Sequence, residues 1–398
     1  MVKVKEMLET NQVGKIIKQY REKCHMSQAE LADSWPRADG GIGCSVQYVQ
    51  LVEYGKRIIT EQRTLRGLCS LLNIPLWMFG LSEYDPLRPE LTQTKDITVI
   101  LQVAEHWIQR AEHVYLTAPL PEAIRDVNYL NVLFTHLLTH YPPFIREQQH
   151  FLTLYAQLQK LTGVIQKENA CYEQAVATFE GMYATALELQ NLGGGPTMSC
   201  EALVYLGSEL GRSGKKQEQV AYLEQARDLS FETSKHLRAY AHTYLARAYA
   251  FSANDTLRFE RAIHFAEQLA RSISYGDGTD FIYHPLSGIM AERSCGYLKL
   301  GFPEKTLAMR DEITAQIEQD KNQRLHNWIP LDWARAYRML GEIEASVEQA
   351  RIFYTRARQM QAPHAIRRAR EFAASFTTKG FGDIPVVREL QEEIREIP

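Results

Sequence analysis

The sequence predicts an all-α protein, with a small N-terminal helix-turn-helix domain followed by a C-terminal α-solenoid of paired helices. Three observations predict it. Apolar residues recur at helical spacing along most of the chain, and no run alternates convincingly with the period of a strand. Helix-start and helix-stop signals crowd into residues 13–57. From about Ile97 onward only helical signals appear, and from about residue 160 a unit of helix, Gly or Asn turn and second helix recurs every 40 residues or so.

The head is expected over residues 1–80. Val13, Ile16, Ile17 and Tyr20 share one face of a first helix, with Lys15, Lys18, Arg21 and Lys23 around the remainder. Ser27 reads as the N-cap of a second helix, and Glu30 three residues later completes a capping box. Leu31 and Ala32 then face inward. Pro36 and the Gly40-Gly41 pair stop any helix in DSWPRADGGIGC. Ser45 is a second N-cap, opening a third helix that ends at Gly55-Lys56-Arg57. Val49 and Val52 should point to the core, and Gln47, Tyr48 and Gln50 outward. Leu65, Leu68, Leu71 and Leu72 mark a fourth helix within Thr60–Asn73, and Leu76–Gly80 closes the domain. Residues 81–96, with Pro86 and Pro89 and no sustained period, read as a connector or as a loop on either neighbour. Residues 97–398 form the solenoid.

The formal charge of -3 is unevenly spread. Residues 1–75 hold 11 Lys+Arg against 8 Asp+Glu, which leaves the rest net acidic. A basic head on an acidic body suits contact with phosphates at one end. The six cysteines, Cys24, Cys44, Cys69, Cys171, Cys200 and Cys295, contain no C-x-x-C pair and read as reduced, mostly buried thiols. MVKVKEMLET has no apolar leader core, and no run approaches the ~18 apolar residues of a membrane span. A cytoplasmic protein without membrane contact is the expectation. His136 and His140 are spaced i, i+4 but lack an accompanying carboxylate motif, and His150 stands apart, so no metal is expected. No nucleophile elbow, phosphate loop or dinucleotide fingerprint occurs, so neither catalytic residues nor a cofactor is expected.

Five first helices of the solenoid end at Gly214, Asn254, Gly301, Gly341 and Gly380, at spacings of 40, 47, 40 and 39 residues. An earlier candidate ends near Asn169. Each of the first four ends is followed by a second amphipathic segment, such as QVAYLEQARDLS or KTLAMRDEITAQI.

The head resembles the Cro/C1-type (XRE) helix-turn-helix family over residues 12–80. The motifs are S-Q-x-E-L-A from Ser27, then S-x-x-x-V-x-x-V-E-x-G-K-R from Ser45, then the leucine pattern ending in Asn73-Ile74-Pro75. The resemblance implies that the third helix lies in the major groove of a double-stranded DNA operator. Gln28 would bond a phosphate, Gln47 and Tyr48 would read base edges beside Ser45 and Gln50, and Lys56 and Arg57 would grip the backbone. The chain departs from the family in about seven extra residues between the second and third helices, which would either shift the third helix or add a minor-groove or phosphate contact through Arg37. For Gln47 and Gln50 the other reading is a solvated helix face, and for Tyr48 it is packing at the domain rim or at the dimer contact.

The repeats resemble tetratricopeptide (TPR) repeats, through Leu206-Gly207, Leu245-Ala246 with Tyr249, Ser294 with Tyr297, and Trp333-Ala334 with Tyr337. Arg293 stands where a large apolar residue is expected. By that resemblance the first helices form a concave wall that includes Ser208, Arg212, Arg247, Cys295, Lys299, Arg335 and Arg338. Its cations would suit a ligand bearing carboxylates; the other reading is that they pair with Glu209, Glu292 or Asp332. The order of parts is similar to the RRNPP class of bacterial peptide-pheromone receptors. That implies a homodimeric, quorum-sensing transcriptional regulator with a short peptide in the groove. The alternative is a regulator whose repeats bind another protein.

Overall fold

The computed structural model describes residues 12–74, 76–79, 81, 94–140, 149–273, 286–318 and 323–395. Residues 1–11, read above for a leader, and most of the expected connector, 82–93, lie outside them. The described residues are helical throughout, with one isolated antiparallel bridge between Pro36 and Ile42 and no strand. The chain divides into two compact units, Met1–Val99 and Ile100–Pro398.

In the first unit, α1 (Gln12–Lys23), α2 (Gln28–Asp33), α3 (Val46–Glu53) and α4 (Gln62–Leu72) enclose a core of Ile17, Leu31, Trp35, Val49, Val52, Leu68 and Leu72. The local signals act as expected. Ser27 Oγ accepts from Glu30 N while Glu30 returns a bond to Ser27 N, and Ser45 Oγ accepts from Tyr48 N. Helix α3 stops where Gly55 turns left-handed at φ 69°, which lets Lys56 N reach back to Leu51 O at 2.8 Å. Gly14 marks the crossing of α1 on α3, because a Cβ there would lie 2.0 Å from Val52 O.

The extra residues between α2 and α3 fold as a small hairpin. Arg37 N bonds Gly41 O and Gly43 N bonds Trp35 O, at 2.9 and 2.8 Å. It rests on α4 through Pro36, so close that a Cβ on Gly67 would lie 2.5 Å from Pro36 Cβ. Its tip pairs Arg37 with Asp39 in the open, a contact worth little by itself.

In the second unit α5 (Thr94–Thr117) and α6 (Leu120–His140) lead into consecutive helix hairpins. These are α7 (Gln149–Glu168) with α8 (Tyr172–Asn191), α9 (Thr197–Arg212) with α10 (Lys216–Ser230), and α11 (Lys235–Ala248) with α12 (Thr256–Arg271). Next comes α13 (Leu286–Lys299), packed on a second arm broken into α14 (Pro303–Ala308) and α15 (Arg310–Ile317). The short α16 (Gln323–His326) precedes α17 (Ile329–Leu340) with α18 (Ile343–Gln359), and α19 (Pro363–Thr378) with α20 (Pro385–Arg395) ends the stack. The first helices α7, α9, α11, α13 and α17 touch one another in that order and make one wall.

All five expected turn residues, Gly214, Asn254, Gly301, Gly341 and Gly380, are left-handed, with φ between 52° and 89°. At the earlier candidate the left-handed residue is Ala170, one past Asn169. The small residues of the repeat lie under the second helix. A Cβ on Gly207 would meet Leu223 Cγ at 2.7 Å, Thr306 Oγ1 donates to Ser294 O, and Ser346 Oγ donates to Ala334 O. The repeat tyrosines reach back to the preceding second helix: Tyr249 to Glu224 and Tyr297 to Glu260, at 2.9 and 3.0 Å. Two features differ from expectation. A wider turn, Tyr249–Ala253, extends α11, and the segment KTLAMRDEITAQI breaks at Met309 with neither Gly nor Pro to mark it.

The two ends of this stack are in contact. Leu120 N donates to Met360 O at 2.9 Å. Arg324, buried, donates to Tyr115 O and Ala118 O at 2.5 and 2.9 Å and lies 4.7 Å from the Tyr115 ring. Tyr172 Oη sits 2.7 Å from His364 Nδ1 and also accepts from Arg367. With Arg367 donating to its oxygen, the phenol has its own O–H to donate as a hydrogen bond to Nδ1, an arrangement that suits a neutral imidazole.

Burial, then the nearby Arg212, holds His364 down to about 3, with Lys167 and Arg368 acting the same way and Glu168 against. Burial, then Arg227 and Arg238, holds His242 to about 4, opposed by Asp228. Both folded values lie below the unfolded one near 6.5, so the unfolded chain takes up protons first. Their contribution is complete above pH ~6.5 and is lost as pH falls through the folded values. Between pH ~6.5 and ~4.5 each should remove about 2 kcal/mol of stability. Melting temperature measured over that window should therefore fall, and His242→Gln with His364→Gln should flatten the slope. An unchanged slope would count against both buried neutral rings.

Candidate nucleic-acid interface and candidate ligand wall

The head presents α3 on a buried polar support. Arg21 Nε and Nη2 donate to both oxygens of Glu53 at 2.6 and 3.1 Å, and Arg21 Nη1 donates to Met26 O at 2.8 Å. Gln28 Nε2 donates to Glu53 Oε2 at 2.7 Å, and Gln50 Nε2 donates to Gln28 Oε1 at 3.2 Å. One carboxylate thus fixes α1, α2 and α3 together and sets the side chains of two expected DNA-contact residues. Gln28 keeps one amide hydrogen for an outside acceptor.

Gln47 and Gln50 are exposed on α3, and Lys56 and Arg57 are exposed just past its end. Ser45 Oγ accepts from Tyr48 N in the cap and keeps its own O–H to donate outward. Tyr48 departs from the outward expectation: it is half-buried, edge-on to Trp35 with centroids 5.5 Å apart. The reason is the hairpin, which carries Trp35 into the core beside α3. Arg57 lies 5.9 Å from the exposed side of the Tyr48 ring. Arg21, expected among the cations outside the apolar face of α1, is instead buried because it pairs with Glu53; the sequence does not announce that pair, although Glu53 stands inside the E-x-G-K-R motif.

The wall of the second unit carries the expected cations, each already engaged. Arg212 lies 3.6 Å from Glu209, Arg247 grips both oxygens of Glu292 at 2.8 and 2.6 Å, and Arg335 pairs with Asp332 at 3.1 Å. The pairing alternative is thus what the structure contains at these three. Cys295 lies among them, and burial, then the nearby Asp332 charge, pushes its thiol well above the ordinary range. Burial likewise raises Asp332, against the pull of Arg335. Lys299 lies 5.7 Å and Arg247 4.7 Å from the Phe251 ring. Arg338 donates to Ser375 and lies 4.5 Å from Phe372. Lys299 and Arg338 are the two expected wall cations without a carboxylate partner among the described residues. Ser208 is buried in α9.

The sequence did not indicate a further buried cluster. Lys160 Nζ lies 3.1 Å from both Glu112 and Glu201. Burial pulls this ammonium down, but the two carboxylates outweigh it, so it stays raised and charged. In the same unit Tyr205, Tyr240 and Tyr244 meet ring to ring, the first pair tilted and the second edge-on, with Tyr205 and Tyr240 held well above their ordinary range by burial.

All six cysteines are free; Cys69 and Cys200 are buried and the other four half-buried, fewer buried than expected. Among the described residues no group of His, Cys, Asp and Glu could hold a metal, and the His140 side chain lies outside them. No described helix is long and apolar enough to cross a membrane.

No family model matches the chain, and no curated protein matches it. Among solved structures, it is similar to the crystal structure of Bacillus thuringiensis PlcR in complex with the peptide PapR7 and DNA. That likeness has a TM-score of 0.40 at 13% identity and covers 90% of this chain and 98% of that one. At those values no residue role is carried over from it.

Proposed function

We propose that this protein is a DNA-binding transcriptional regulator whose solenoid senses a ligand, foremost a short signalling peptide. The observation that carries the DNA half is the exposed face of α3. Gln47 and Gln50 project from a helix that Arg21, Glu53 and Gln28 lock in place, with Lys56 and Arg57 at its end. A glutamine amide can read adenine in the major groove, and the two cations add sequence-blind affinity for phosphates. As a homodimer the protein would place two heads on half-sites about one helical turn apart.

The ligand half rests on the wall. A peptide bearing carboxylates meets no competing acid at Lys299 and Arg338 among the described residues, and competes with Glu209, Glu292 and Asp332 for the rest. One observation favours the second reading, a repeat domain that binds another protein: most wall cations are matched by acids already.

Fluorescence anisotropy with a duplex covering the protein's own upstream region, titrated across salt, tests the proposal. Lys56→Ala with Arg57→Ala should lower affinity and reduce the slope of log K against log salt by about 1 for each phosphate no longer neutralised. An unchanged slope, or no binding at low salt, defeats the DNA half. Repeating the titration with short synthetic acidic peptides separates the two ligand readings. A change in duplex affinity selects the peptide; none selects the protein partner.

A further inference from the structure

A cleft of about 310 Å³ opens between α5 and α6 of the second unit, and none of its lining residues belongs to the inner wall. It is lined by Trp107, Arg110, Arg125, Asp126 and Tyr129. Trp107 and Tyr129 are 45% and 58% exposed, their rings meeting at 72° with centroids 6.3 Å apart. Two large aromatic side chains side by side in water form an apolar surface that gains from being covered.

The charges beside them are unequal. Asp126 is buried and lies 3.2 Å from Arg110 Nε, so this pair is neutral and holds the Arg110 guanidinium against α6. Arg125, one residue before Asp126, is exposed, and among the described residues its guanidinium has no ion-pair or hydrogen-bond partner. The cleft therefore has one cation more than it has acids, next to an aromatic wall. A cationic guest would meet two guanidiniums and one carboxylate. A neutral apolar guest would leave Arg125 unused. An anion with a flat apolar body satisfies both features.

We propose that this cleft binds a small aromatic carboxylate, with its ring against Trp107 and Tyr129 and its acid on the Arg125 fork. The volume sets the size of the guest. It stands at the low end of the ~300–1,000 Å³ range of small-molecule pockets, room for one ring system and its acid group but not for a nucleotide cofactor. The site lies outside the wall on which the proposed sensing of peptide rests, and its test uses no DNA, so the two stand or fall separately.

Calorimetric titration of the full chain with indole-3-acetate is the direct test. A guest of this size should bind saturably with Kd of ~0.1–1 mM. Arg125→Ala should weaken binding about tenfold, and the neutral probe indole-3-acetamide should lose a similar factor on the unaltered protein. Tyr129→Ala should also weaken it, while Leu257→Ala, exposed elsewhere in the unit, should not. Arg125 is exposed and outside the core, so its variant should keep the parent's circular dichroism. No saturable heat up to ~10 mM overturns the proposal. So does binding of the acid to Arg125→Ala, or of the amide to the parent, within about twofold of the parent's affinity for the acid.

Discussion

Glu53→Ala should unfold the head and abolish duplex binding with it. The Glu53 carboxylate accepts from Arg21 twice and from Gln28 once, all within a core of few large side chains. Removing it leaves the buried Arg21 guanidinium with its bond to Met26 O and the exposed Glu22 carboxylate 3.6 Å away, neither of which replaces the bidentate pair. Stranding one partner of a buried ion pair costs about 3–5 kcal/mol, which is comparable to the whole stability of a small domain. Gln28 loses its anchor in the same step, and Gln50, bonded to Gln28, loses its setting. Glu53→Gln keeps a hydrogen-bond acceptor but not the charge and should fall between the two. Chemical denaturation followed through Trp35 fluorescence, in variants with the other tryptophans replaced by phenylalanine, together with duplex anisotropy, checks this. A Glu53→Ala head that melts like the parent would refute the supporting role of the network.

Lys160→Met should destabilise the solenoid by about 3–5 kcal/mol, because the Glu112 and Glu201 carboxylates then lose the cation they share. For a unit of this size that lowers the melting temperature by about 10 °C. Adding Glu112→Gln and Glu201→Met to the same chain should return most of the loss, since a buried ionic cluster replaced as a whole by apolar or neutral groups is near neutral. Calorimetric melts of the single and triple variants decide it. If the triple variant is as unstable as the single, the loss is one of shape rather than charge.

These two clusters differ in how far the sequence announces them. The capping box at Ser27 and Glu30 and the left-handed turns at Gly214, Asn254, Gly301, Gly341 and Gly380 are local. Each residue type there meets a backbone demand within a few positions, so the string of letters reveals it. Lys160 has no such context: Glu112 and Glu201 lie 48 and 41 residues away, and only the stacking of α7 on its neighbours brings them together. Ala170 and Gln361 take left-handed conformations that their side chains do not advertise. Tyr48 shows a third kind of limit. Its place on α3 was legible, but its direction depended on Trp35, which the extra hairpin delivers. The wall positions were located by repeat pattern, whereas their partners are set by which first helices adjoin.

The contacts of Leu120 with Met360, of Arg324 with Tyr115 and Ala118, and of Tyr172 with His364 bear on how the solenoid comes apart. An open row of repeats frays from either terminus, each unit answering only to its neighbours. Here the first helices lose their support whenever the last ones detach, and the reverse. Melting should therefore be concerted, and folding should wait for a chain closure across some two hundred residues, a slow step for a molecule built otherwise from local pieces.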